Sequence, residues 1–80
     1  MSDIQYAKSL LADALRLDLS RISADASMKT LRQWDSLGHM ELIALAEERL
    51  GITLSMDEIV RMTSLEGLAA VVAAHGKAVA

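Results

Sequence analysis

The sequence predicts an all-α domain: a bundle of three longer helices and one short helix, with a long first loop. Three observations carry this. Apolar residues recur at helical intervals in every periodic segment, with no alternating run to suggest strands. Three segments open with a Ser or Thr followed three residues later by Glu or Gln, at Ser2–Gln5, Ser55–Glu58 and Thr63–Glu66. That spacing lets the two side chains satisfy each other's orphan amides at a helix start. Proline is absent from the 80 residues and alanine is common, which suits helix interiors.

The first helix should run from about Asp3 to Arg16. Ile4, Ala7, Leu11 and Ala14 form its apolar stripe, broadened by Leu10, Leu15 and Leu17. Periodicity then fails from Asp18 to Gln33, where serines, aspartates and Thr30 favour turns. A loop this long in a small domain must be pinned or functional. Ile22, Met28 and Leu31 are its expected anchors, and Trp34 closes it by packing beside the second helix. That helix should span Ser36 to Leu50, with Gly51 as a left-handed stop. At about 100° per residue, Leu42, Ile43, Ala46 and Leu50 share the core side, with Leu45 on its flank. A short helix through about Arg61 follows the extended link Ile52–Leu54, turning Ile59, Val60 and Met62 inward. The last helix, built on Leu65, Leu68, Ala69, Val71 and Val72, should end near His75 with Gly76 as its cap.

Composition narrows the function. The chain has no cysteine, so neither a disulfide nor a thiolate metal site can hold it together. One domain over residues 1–80 is expected, resting on packed aliphatic side chains. A net charge of −3 disfavours nucleic acid as a partner. No apolar run approaches a membrane span, and the N-terminus has no signal-peptide pattern, so a soluble, cytoplasmic location is expected. The sequence shows no self-contained catalytic set and no metal site. His39 and His75 lack metal-ligand spacing, and His39 falls near the buried side of its helix. Glu47 and Glu48 are adjacent and diverge, and no glycine-rich phosphate loop is present.

The informative stretch is Asp35-Ser36-Leu37. It places a hydroxyl in the first turn of a helix, where unpaired amides favour phosphate. Spacing alone favours the plainer reading, that Asp35 or Ser36 simply caps the helix, as Asp and Ser do at most helix starts. Leu37, Met40 and Ala44 fall on the side away from the core, among Glu41, Glu47 and Glu48. Exposed apolar surface rimmed by charge marks a partner site.

Asp35-Ser36-Leu37, with Glu41-Leu42-Ile43 and Ala46-Glu47-Glu48 after it, resembles the acyl carrier protein family. Ile22–Ser27 upstream and Ile52–Ile59 downstream extend the similarity over nearly the whole chain. The resemblance implies an acyl-carrier-protein-like four-helix bundle acting as a free-standing, monomeric carrier rather than an enzyme. Ser36 would receive a 4′-phosphopantetheine arm from coenzyme A, and Asp35 would assist that metal-dependent transfer. Leu37, Met40, Glu41, Ala44, Glu47 and Glu48 match positions the family uses to dock enzymes. The implied partners are a phosphopantetheinyl transferase and the ligases, synthases or transferases that load the arm with acyl or aminoacyl groups. Two positions depart from the fatty-acid carriers: Gly38 replaces an acid, and Arg49 interrupts the acidic run. These departures point toward a specialised polyketide, amino-acid or unusual acyl pathway. A peptidyl or aminoacyl carrier, or a carrier-like interaction module with Ser36 unmodified, are the alternatives.

Overall fold

The computed structural model describes residues 3–76, in which four α-helices surround one aliphatic core. They are α1 (Asp3–Leu15), α2 (Ser36–Leu50), α3 (Met56–Arg61) and α4 (Leu65–Ala74), with a 3-10 turn at Leu19–Arg21. Among the described residues the only extended pairing is an isolated antiparallel bridge between Ser27 and Ser64. Ser2, and with it the Ser2–Gln5 capping pair, lies outside the described residues.

α1 buries Ala7, Leu10, Leu11, Ala12 and Ala14 and packs against both α2 and α4. It stops one residue before Arg16 because Arg16 is left-handed, with φ 58°. The Leu17 amide then donates back to the Ala12 carbonyl at 2.9 Å. This is a helix stop in which glycine usually serves.

The long loop is held from two directions. Ile22, Ala26 and Trp34 are buried, while Met28 and Leu31 pack more shallowly against the core. Backbone bonds flank the Ser27–Ser64 bridge: the Met28 amide donates to the Thr63 carbonyl at 2.9 Å, and the Leu65 amide to the Ala26 carbonyl at 2.8 Å. The loop is therefore stitched to the α3–α4 junction. Ala26 is an anchor that no local pattern marks.

α2 has the expected bounds, and Gly51 ends it with φ 64° and ψ 39°. Its core side carries Leu42, Ala46 and Leu50, with Ile43 and Leu45 half-buried. α3 opens with the expected reciprocal box. The Glu58 amide donates to Ser55 Oγ at 3.2 Å, and the Ser55 amide donates to Glu58 Oε1 at 2.9 Å.

Two expectations need correction here. Val60 does not turn inward but is 63 % exposed, leaving Met62 fully buried just beyond the helix. A helix of 6 residues presents too narrow a side to bury both, and none of its own residues is fully buried. The cap of α4 is Ser64, whose Oγ accepts from the Gly67 amide at 3.0 Å, not Thr63. The stitching bonds on either side of Ser64 set the helix start one residue later than the Thr63–Glu66 spacing suggests. At the far end His75 is the C-cap, and Gly76 is left-handed.

Glu58 also reaches α4, its Oε2 lying 2.6 Å from His75 Nε2. The Ser55 amide bond, aided by the His75 contact, holds the Glu58 carboxyl below the usual carboxylate range. A carboxyl that ionises more easily when folded stabilises the fold above its unfolded pKa. That contribution fades as pH falls through the lowered folded value. Glu58→Gln keeps a side chain able to complete the capping box but removes the charge. We expect the variant to lose stability at neutral pH and to show a flatter acid limb than the parent. Urea midpoints taken from neutral pH down through the carboxylate range check this.

Candidate functional site: the start of helix α2

The loop ends and α2 begins within a few residues of buried packing. Trp34 is fully buried, whereas Asp35, Ser36 and Leu37 are exposed. Asp35 is extended, with φ −98° and ψ −168°, and acts as the N-cap. Its Oδ1 accepts from the Gly38 amide at 2.9 Å, and its carbonyl accepts from the His39 amide at 2.8 Å. Asp35 rather than Ser36 is therefore the cap, which leaves the serine oxygen free. The Ser36 hydroxyl has no hydrogen-bond partner among the described residues, and neither do the Ser36 and Leu37 amides. An unengaged hydroxyl thus stands beside a carboxylate and two free amides at the positive end of a helix.

Gly38 explains how the turn can sit so close to the loop. A Cβ built there would lie 2.6 Å from the Gln33 carbonyl oxygen and 2.7 Å from a Leu15 methyl. The residue is buried, so its departure from the fatty-acid carrier pattern is a packing requirement and not only a loss of helix propensity.

His39 is buried, as its phase suggests, and both ring nitrogens are engaged. The Trp34 indole N–H donates to Nδ1 at 3.0 Å, and Nε2 lies 2.9 Å from the Ile59 carbonyl of α3. Sequence reasoning placed His39 near the buried side of α2 and Trp34 beside the start of that helix, but did not pair them. The available signal was a buried indole needing an acceptor beside a histidine able to provide one.

The outward face of α2 is uneven. Leu37 and Met40 are each 66 % exposed, and Glu41, Ala44 and Glu48 are exposed with them. Glu41 and Glu48 line a shallow groove shared with Asp13 and Arg16 at the end of α1. Glu47 differs from expectation. It is half-buried, and its Oε2 accepts from the Leu54 amide at 2.9 Å, tying α2 to the link before α3. Arg49 turns toward α1, where its Nη1 donates to Asp13 Oδ2 at 2.7 Å. Among the described residues, no three His, Cys, Asp or Glu side chains are grouped to hold a metal, and no helix is long and apolar enough to cross a membrane.

The model of the phosphopantetheine attachment site family matches residues 5–72 of the chain. The chain belongs to the acyl carrier protein family. It is 32 % identical over 65 residues to polyketide-8 synthase acyl carrier protein 2 of Streptomyces avermitilis, covering 81 % of this chain and 75 % of that one. It is 35 % identical over 66 residues to the acyl carrier protein MbtL of Mycobacterium tuberculosis, covering 82 % of this chain and 79 % of the relative. The family's prosthetic group is covalently attached 4′-phosphopantetheine. The site fits such a group, because it offers an exposed, unbonded hydroxyl flanked by a carboxylate and by free amides.

Gly38→Ala tests the tight turn. Alanine favours helix by up to ~1 kcal/mol over glycine, but here its methyl would overlap a backbone oxygen, and overpacking costs ~1–3 kcal/mol. We expect net destabilisation, read as a lower midpoint in thermal unfolding followed by far-UV circular dichroism. A raised midpoint would show that the Gln33 carbonyl yields easily.

Proposed function

We propose that this chain is a carrier domain in which Ser36 bears the phosphopantetheine arm and Asp35 assists its attachment. The single observation that supports this most is the division of labour at the helix start. Asp35 takes the capping role, so the Ser36 oxygen remains exposed and uncommitted. In attachment, Ser36 Oγ would form a phosphodiester bond to the phosphorus nearest the pantetheine of coenzyme A. The bond from that phosphorus to the bridging oxygen of the pyrophosphate breaks, adenosine 3′,5′-bisphosphate leaves, and the hydroxyl proton passes to a base on the transferase. The free amides of the first turn lie where they would favour the resulting phosphate. The arm supplies the thiol that these 80 residues lack, and acyl or aminoacyl groups ride on it as thioesters. The domain itself carries out no chemistry on that cargo. The named polyketide relative, together with Gly38 and Arg49, favours a polyketide or other specialised pathway over housekeeping fatty acid synthesis.

Partners would be the transferase and the loading ligases, synthases or acyltransferases. Their docking surface is the outward face of α2: Leu37, Met40 and Ala44, with Glu41 and Glu48 along the α1 side. Glu47 is left out of this face by its bond to the Leu54 amide.

Ser36→Ala should abolish arm attachment, while far-UV helicity stays nearly unchanged because the Asp35 cap survives. Intact mass after incubation with coenzyme A, Mg²⁺ and a phosphopantetheinyl transferase reads the outcome. A parent chain that gained no mass with several transferases would point to an unmodified interaction module instead. For the face, Glu41→Lys and Glu48→Lys should each slow arm attachment about tenfold at low salt, with the defect shrinking as ionic strength rises. Met40→Ala should speed dissociation with little salt dependence. Attachment kinetics at two salt concentrations, with binding rates from surface plasmon resonance, check both. An unaltered association rate in the charge reversals would remove this face as the docking site.

A further inference from the structure

We propose that His39 is a positioning residue that couples the seating of α3 to the presentation of Ser36. The inference rests on the reading of Ser36 as the attachment site.

The geometry assigns the state of the ring. An indole N–H can only donate, so Nδ1 must accept from Trp34; a carbonyl can only accept, so Nε2 must carry the proton toward Ile59. A neutral imidazole does both at once, with its two polar ends about a ring's width apart. His39 is 8 % exposed and Trp34 is wholly buried, so water is poorly placed to replace the ring as partner of the indole. Losing the ring would leave the buried Trp34 N–H unsatisfied, which is disfavoured, and would take from the half-buried Ile59 carbonyl its donor in α2.

What lies at each end gives the relay its meaning. Trp34 immediately precedes Asp35 and Ser36, and His39 follows them on the first turn of α2. The Trp34–His39 bond therefore closes a short loop of chain around the serine. At the other end, Ile59 lies within the last turn of α3, where helix carbonyls have no partner within the helix. His39 supplies that donor from α2. Packing holds α3 only in part: none of its residues is fully buried, and Ile59 alone among them packs against the core, with Met62 buried just beyond its end. Its other described side-chain bonds are the Ser55–Glu58 box and the Glu58–His75 contact. One ring thus braces the serine-bearing turn with one nitrogen and caps the weakly buried helix with the other. Met56 and Val60, exposed by 73 % and 63 %, give an enzyme apolar side chains on α3 through which that helix could be shifted.

The test combines hydrogen exchange with attachment kinetics on His39→Leu, His39→Gln, Trp34→Phe and the Leu/Phe double variant. His39→Leu should speed amide exchange about tenfold in both residues 56–62 and residues 33–37, with α1 and α4 protection little changed. It should also lower kcat/KM for arm attachment several-fold. Glutamine offers an amide group that donates and a carbonyl oxygen that accepts, so His39→Gln should recover part of both effects. Trp34→Phe removes the indole donor and should loosen α3 in the parent, but add little once His39 is leucine. Equal effects of Trp34→Phe on α3 in both backgrounds would mean lost core packing and would overturn the proposal. So would a uniform rise in exchange across all helices, or a leucine variant that attaches the arm as well as glutamine does. Should the leucine variant fail to fold, the glutamine and phenylalanine variants decide the matter by the same comparison. A parent chain that takes no arm would defeat the Ser36 reading, while the exchange cycle would still accept or reject the link between α3 and the turn.

Discussion

Trp34 is wholly buried two positions before an oxygen that stays in water. The chain must pass from core to surface within that distance, and most of the local architecture follows from how it does so. The indole N–H cannot be buried without an acceptor, so a histidine must stand within reach on the next turn. The turn starts close to the incoming loop, so a side chain at position 38 would press on the Gln33 carbonyl and on Leu15. The residue between tryptophan and serine must be extended and must satisfy a first-turn amide, which an aspartate does. Ser36 is then the first residue free of structural duty. Its availability is a product of the packing around it, and its own local chemistry plays a smaller part.

The helices were largely readable because their signals are local. Periodicity and capping residues set α2 and α3 to the residue, and Gly51 marks its stop as a left-handed glycine should. What escaped was set by contacts distant in sequence. Ala26 looks like any small loop residue, yet its carbonyl is a partner of Leu65. Thr63 has the better capping spacing, but the same stitching hands the role to Ser64. Arg16 occupies a backbone conformation that its side chain does not advertise. At the site, Ser36 and Asp35 stood out through the resemblance, and the exposed ridge of α2 through its helical phase. The engagement of Glu47 by the Leu54 amide needed the position of the next segment, which no spacing within α2 contains. Gly38 stood out only as a departure from the fatty-acid carriers, because the Gln33 carbonyl that crowds it is placed by the loop.

The charge on α2 is also divided by its neighbours. Glu47 is drawn toward α3 and Arg49 toward α1. The Arg49–Asp13 pair is largely exposed, its side chains 41 % and 50 % accessible, so it adds little to stability. Its effect is to keep a cation off the outward face. The remaining acids lie along the α1 edge, which gives the face a direction: negative on one side, with the apolar prongs Leu37 and Met40 free to be buried. A partner that matches both features can approach in one orientation only, and complementary charge of this kind selects partners more than it adds affinity.

Arg16 carries a consequence for how such a surface can change. Its left-handed backbone is of a kind that glycine adopts without strain, and its side chain lines the same groove as Asp13, Glu41 and Glu48. Glycine at this position would relax the chain but leave the carboxylates of the groove without that cation. The residue therefore exchanges a little backbone comfort for control over how negative the groove is. Among side chains that tolerate the left-handed conformation, substitution at this one hinge would retune the local field while leaving the end of α1 in place.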